Sequence, residues 1–159
     1  MSAAIHASAV LIGEAGVLIL GPSGAGKSAL SLALIEAARA RNGFASLIAD
    51  DRVVLAEVNG RVLATAKPDF EGLIERRGEG ILRVPFEPAA VLRLVVDLPT
   101  RGLAPVRWPE ENGRIWSYNG VILPRMTLDI FAGAWEASLT ILRRIQSLSG
   151  ESAAFANFA

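Results

Sequence analysis

Gly21-Pro22-Ser23-Gly24-Ala25-Gly26-Lys27-Ser28 is the stretch on which the fold turns. It follows Val17-Leu18-Ile19-Leu20, a short continuous apolar run of the kind that forms a buried central strand. Beyond it, Leu30, Ala33, Leu34 and Ala37 recur at helical spacing between Ala29 and Arg41, and Asn42-Gly43 supplies a stop. Strand, glycine-rich turn and helix in immediate succession match the G-x-x-x-x-G-K-[ST] pattern in full. Glycines let successive backbone N–H groups turn inward on one anion, and the helix N-terminus adds partial positive charge. In this pattern Lys27 reaches β- and γ-phosphate oxygens, and the Ser28 hydroxyl ligates Mg²⁺. The loop from Gly21 through Pro22, Ser23, Gly24, Ala25 and Gly26 to Lys27 and Ser28 is therefore expected to hold the phosphates of a nucleotide. The plainer alternative is a glycine-rich turn capped by Ser28.

The chain around this motif has 159 residues, enough for one domain with a real hydrophobic core. At 52% hydrophobic and 20% charged residues it reads as a compact globule rather than a disordered chain. Its formal net charge is zero, so no bulk positive field draws nucleic acid or an anionic membrane, and anion binding must be local. With no cysteine, disulfides, thiolate metal sites and cysteine nucleophiles are excluded. No secretory signal pattern opens the chain, and no apolar stretch approaches the roughly 20 residues that span a bilayer. A cytoplasmic protein is expected. Without repeats, low-complexity tracts or linkers, residues 1–159 are expected to form a single domain.

Elsewhere Ile5 to Ile12 reads as a strand and Gly13-Glu14-Ala15-Gly16 as a turn. Ser46 to Ala49 is a second apolar strand ending at Asp50-Asp51. Arg52–Glu57 and Arg61–Ala66 flank Asn59-Gly60, a strong hairpin signal, and Ala90 to Asp97 reads as another buried strand. Thr100 to Asn119 reads as irregular, Val121 to Leu123 as a strand, and Ala134 to Leu148 as a helix. The tail from Ser152 to Ala159 is expected to fray or to dock through Phe155 and Phe158. The fold class is α/β: a P-loop domain with a mixed twisted sheet around the phosphate-binding loop and its helix.

In a parallel sheet, the strand edge that carries the loop also carries the Asp50-Asp51 end of the following strand. Two adjacent carboxylates point to opposite faces, so one can ligate the metal or its water while the other takes a proton from an attacking hydroxyl. A solvated turn with Asp51 paired to Arg52 is the alternative. Glu75-Arg76-Arg77-Gly78-Glu79-Gly80 is charge-dense and glycine-punctuated. It is a solvated loop unless Glu75 completes a magnesium site and Arg77 meets transferring phosphate. His6 is the only histidine, and on an apolar strand it is more often packed or exposed than catalytic.

Taken in order, His6, the loop Gly21–Ser28, Ala49-Asp50-Asp51-Arg52-Val53 and Glu75-x-Arg77-Gly78-x-Gly80-Ile81 resemble the catalytic domain of the bacterial HPr kinase/phosphorylase family, from His6 to about Thr127. The short, single-domain variety of some proteobacteria is the closer analogue. The resemblance implies ATP- and Mg²⁺-dependent phosphorylation of a serine of HPr, the phosphocarrier of the sugar phosphotransferase system. It makes Asp50 the general base, and the acid in the reverse attack of phosphate on phosphoserine. Lys27 neutralises phosphate charge, Ser28 and Glu75 bind Mg²⁺, and His6 is an active-site histidine. Arg107 is the best match for a catalytic arginine, with Arg101 and Arg114 as competitors. A homo-oligomer is also implied. Two departures stand out: Glu79 replaces a usual leucine, and Leu128-Asp129-Ile130-Phe131-Ala132-Gly133 replaces a Pro-Val-x-x-Gly-Arg-Asn loop tied to substrate engagement and dephosphorylation. Kinase activity is therefore expected ahead of phosphorolysis. A P-loop kinase for a small metabolite and a non-catalytic nucleotide-binding module are the alternatives.

Overall fold

The computed structural model describes residues 3–99, 111–130 and 133–156. Its strands are β1 (Ala4–Ile5), β2 (Ala7–Ile12), β3 (Ala15–Leu20), β4 (Ala45–Ala49), β5 (Val53–Val58), β6 (Arg61–Ala66), β7 (Leu73–Arg76), β8 (Gly80–Arg83), β9 (Ala89–Asp97), β10 (Ile115–Tyr118) and β11 (Val121–Thr127), with helices α1 (Lys27–Ala40) and α2 (Ala134–Ala156). Nine strands form one mixed sheet in the order β1-β5-β6-β9-β3-β2-β4, with β11 added to β9 and β10 to β11. β7 and β8 form a separate hairpin.

The central strands are apolar on both faces because both are covered. On one face Val10, Val17, Ile19, Leu94 and Val96 pack under Leu30 and Leu34 of α1 and Ile141, Leu142 and Ile145 of α2. On the other, Ala9, Leu18, Leu92 and Val95 meet Val53, Leu55, Val62 and Ala64, so the sheet curls until its β5–β6 end covers its own centre. Each fully buried leucine, such as Leu30 or Leu34, contributes roughly 2–3 kcal/mol of apolar burial.

The sequence reading puts β3 and β4 in one parallel sheet; β2 lies between them and runs antiparallel to both. β3 and β4 therefore still run the same way and end at one edge, where β2 begins. β9 and β11 run parallel to β3 and end there too. The expected strand Ile5–Ile12 breaks at His6, with β1 pairing to β5 while β2 pairs to β3 and β4. The Asn59-Gly60 hairpin forms as expected, with left-handed backbone at both turn residues.

Three further segments depart from expectation. Glu75–Gly80, expected as a solvated loop, lies within the paired β7–β8 hairpin, which the buried Ile74 anchors. β10 occupies part of the stretch expected to be irregular. α2 runs on to Ala156 through the start of the expected frayed tail.

A bulge orients the site. β2 and β4 shift register between Ala9↔Ala49 and Val10↔Leu47. Leu47 faces the helices, but Ile48 and Ala49 both lie in the opposite core. Strict alternation would put Asp50 on the face of Ile48; the extra residue returns it toward α1.

Candidate active site

Three corners of the chain meet at one sheet edge: His6 between β1 and β2, the loop 21–26 between β3 and α1, and residues 50–52 between β4 and β5. The loop is shaped by its glycines. Gly26 caps α1 with φ 102°, and a Cβ there would overlap Ile130 Cδ1. A Cβ at Gly21 would lie 2.9 Å from the Leu98 carbonyl oxygen. No side chain caps α1 and no acidic residue occupies its first turn. The first-turn N–H groups, which have no acceptor within the helix, are thus left available to an anion.

Asp50 is 6% exposed, and its carboxylate is surrounded by donors. The Ser8 hydroxyl donates to Oδ1 at 2.6 Å. The Ser28 hydroxyl lies 2.9 Å from both carboxylate oxygens, and the Glu75 main-chain N–H donates to Oδ2 at 3.3 Å. Asp51, next in sequence, is in the opposite situation: its side chain is 56% exposed, its φ is 65°, and His6 Nδ1 is 2.7 Å from Oδ1. The Asp51–Arg52 pairing of the alternative reading is present but loose, at 3.8 Å.

Lys27 Nζ donates to the carbonyls of Gly21 and Pro22 at 2.7 and 3.0 Å and lies 3.2 Å from His6 Nε2. An ammonium only donates and a carboxylate only accepts, which assigns the His6 lone pair to Nε2 and its proton to Nδ1. The result is a continuous line Asp51–His6–Lys27 across the mouth of the loop. Burial pushes the Lys27 ammonium below its ordinary pKa, while the carboxylates of Asp51 and Asp50 oppose that shift.

The structure thus brings together His6, Lys27, Ser28, Asp50 and Asp51, with Glu75 joining through its backbone. Arg77 and Gly78 lie at the exposed turn of the β7–β8 hairpin, and no hydrogen bond or ion pair ties Arg77 to Lys27, Asp50 or Asp51. Arg114 is exposed beside β10, and Arg101 and Arg107 lie outside the described residues. Residues 131–132 of the substituted segment do too, but Ile130 rests against Gly26 of the loop.

Sequence reasoning missed Ser8, Ile130 and the Asp97–Arg125 ion pair at the ends of β9 and β11. Ser8 carried only a weak signal, a hydroxyl within an otherwise apolar strand segment. For Ile130 and the ion pair the sequence offered none.

A divalent cation fits this donor set. The Ser28 hydroxyl and Asp50 carboxylate are hard oxygen ligands, and among the described residues no three His, Cys, Asp or Glu side chains gather around a metal position. Mg²⁺ commonly takes one or two protein oxygens and completes its shell with water and phosphate.

The fold is α/β, with a glycine-rich loop and two carboxylates at one sheet edge. The HPr Serine kinase C-terminal domain model matches residues 1–91. The HPr kinase/phosphorylase of Limosilactobacillus reuteri is 34% identical over 139 residues, covering 81% of this chain and 41% of its own length. That of Clostridium tetani is 34% identical over 99 residues, covering 62% of this chain and 30% of its own length. The chain therefore spans well under half of these curated relatives. Among solved structures, the Hpr(Ser) kinase/phosphatase from Coxiella burnetii superposes with a TM-score of 0.75 at 24% identity, over 92% of this chain and 98% of that one. This chain belongs to the HPr serine kinase C-terminal domain family.

Proposed function

We propose that this chain is an ATP- and Mg²⁺-dependent protein serine kinase that phosphorylates HPr, acting in the cytoplasm as a homo-oligomer. The observation that carries the reading is the meeting, at one sheet edge, of an uncapped helix N-terminus, Lys27 and two carboxylates in opposite environments. The loop amides and Lys27 would hold the β- and γ-phosphates, Lys27 exchanging its carbonyl partners for phosphate oxygens. Ser28 and Asp50, with the Glu75 carboxylate, would hold Mg²⁺, which offsets phosphate charge when bound.

The resemblance implies proton transfer by Asp50; here it is given to Asp51, a reading supported by the burial of Asp50 and the exposure of Asp51. Asp50 is buried and accepts from Ser8, Ser28 and the Glu75 N–H. Asp51 is exposed at the mouth, beside His6. In the proposed reaction Asp51 takes the serine hydroxyl proton and the serine oxygen bonds to the γ-phosphorus. The bond from that phosphorus to the β–γ bridging oxygen breaks, and ADP leaves. His6 holds Asp51 in place. Arg107, from the family resemblance, is assigned to the transferring phosphate. The reverse phosphorolysis is secondary, because Leu128–Gly133 departs from the dephosphorylation loop.

The test is incubation with HPr, ATP and Mg²⁺ and location of phosphate by mass spectrometry. One phosphoserine on HPr is expected. Label appearing instead on a panel of hydroxylated metabolites would make this a metabolite kinase. Nucleotide binding with no transfer to either would make it a regulatory module.

A further inference from the structure

Ser8 is fully buried in β2, opposite Ile19, on the sheet face turned to α1. Its neighbours Ala7 and Ala9 belong to the opposite core. A hydroxyl in such a place needs a partner, and the partner here is the Asp50 carboxylate. Ser8 holds Oδ1 while the Glu75 N–H holds Oδ2. Anchored at both oxygens, the carboxylate plane cannot turn without losing one bond. Ser28 then has a fixed acceptor for its hydroxyl hydrogen. With that hydrogen directed at Asp50, the Ser28 oxygen keeps its lone pairs for a cation.

We infer that Ser8 is a positioning residue for the metal, fixing Asp50 so that Ser28 presents lone pairs rather than its proton to Mg²⁺. This rests on the phosphate-and-metal reading of the loop, and it is tested by binding so that the two can fail separately. The measurement is affinity for a fluorescent ATP analogue, with and without Mg²⁺, in wild type, Ser8→Ala and Ser8→Cys.

Outer-shell partners typically change metal affinity by about 10-fold or more. Ser8→Ala is therefore expected to keep its metal-free nucleotide affinity within about twofold while losing about 10-fold of the gain that Mg²⁺ confers. Ser8→Cys, nearly the same shape with a weaker donor, should fall between the two. It serves as the test if the alanine variant lacks a cooperative thermal transition. Equal losses with and without Mg²⁺, or no loss in either, would overturn the assignment and leave Ser8 a packing residue. Wild-type protein that binds the Mg²⁺–nucleotide complex but never phosphorylates HPr would refute the kinase reading and leave this test intact. Wild-type protein whose nucleotide affinity ignores Mg²⁺ would overturn both.

Discussion

Replacing each aspartate in turn by asparagine separates the two carboxylate roles. At Asp51 the backbone is left-handed, a region asparagine tolerates nearly as well as aspartate. The side chain is more than half exposed, and an amide oxygen can still accept from His6 Nδ1. Stability should therefore move by no more than about 0.5 kcal/mol. An amide cannot take up the hydroxyl proton, so phosphoryl transfer should fall about 100- to 10,000-fold. Affinity for the Mg²⁺–ATP complex should hold within about twofold, because Asp51 is placed outside the metal's shell. Asp50→Asn should behave differently. Its amide NH₂ would replace an oxygen that now receives donors, leaving at least one buried donor unpaired at a cost of roughly 1–3 kcal/mol. Removing the buried charge should also weaken Mg²⁺–ATP binding by about tenfold or more. The assay is transfer of labelled γ-phosphate to HPr at saturating ATP, with urea unfolding and nucleotide binding measured on the same preparations. Near wild-type transfer by Asp51→Asn, together with an Asp50→Asn variant that binds normally but does not transfer, would refute the division and return the proton to Asp50.

Gly26→Ala meets a left-handed φ and the Ile130 side chain together, so urea unfolding should show a loss of at least about 2 kcal/mol; unchanged stability would mean that Ile130 does not press on the loop. Lys27 has its pKa lowered by burial, so between its folded value and 10.5 the unfolded chain binds more protons than the folded one. Stability of the wild type relative to Lys27→Met should therefore rise with pH across that alkaline window, and a flat difference would remove the burial effect. Asp97→Asn should lower stability by roughly 1–3 kcal/mol by leaving the half-buried Arg125 guanidinium without its carboxylate. Adding Arg125→Met should recover part of the loss in thermal melts; full additivity would mean that the pair does not interact.

Much of this was legible because the chemistry is local. The loop Gly21–Ser28 announces itself through contiguous residues, and the Val17–Leu20 run and the Asn59-Gly60 turn do so too. What stayed hidden depends on long-range pairing. Nothing in Ala7–Ile12 says that it runs between β3 and β4 rather than beside one of them, because an apolar strand buried on both faces has no preferred neighbour. Glu75–Gly80 looked like loop because it is charge-dense and glycine-punctuated, and the hairpin's order comes from Ile74 in the main core. Ser8 was readable only in hindsight of Asp50, 42 residues away.

Asp50 and Asp51 stand at the sheet edge that carries the loop, with β2 between β3 and β4. An antiparallel strand between two others leaves those two running the same way, so β3 and β4 still end together, and the start of β2 is added to the same edge. That addition is what brings His6 and Ser8 to the site: beside a purely parallel β3–β4 pair neither residue would be within reach. Which carboxylate turns inward is decided separately, by the one-residue bulge at Ile48-Ala49. With regular alternation Asp50 would lie on the face of Ile48, and Asp51 would be the one aimed at Ser28. The proposed division of metal-facing and proton-accepting roles between two identical, adjacent side chains therefore rests on a register irregularity in β4, which residue type and motif spacing do not encode.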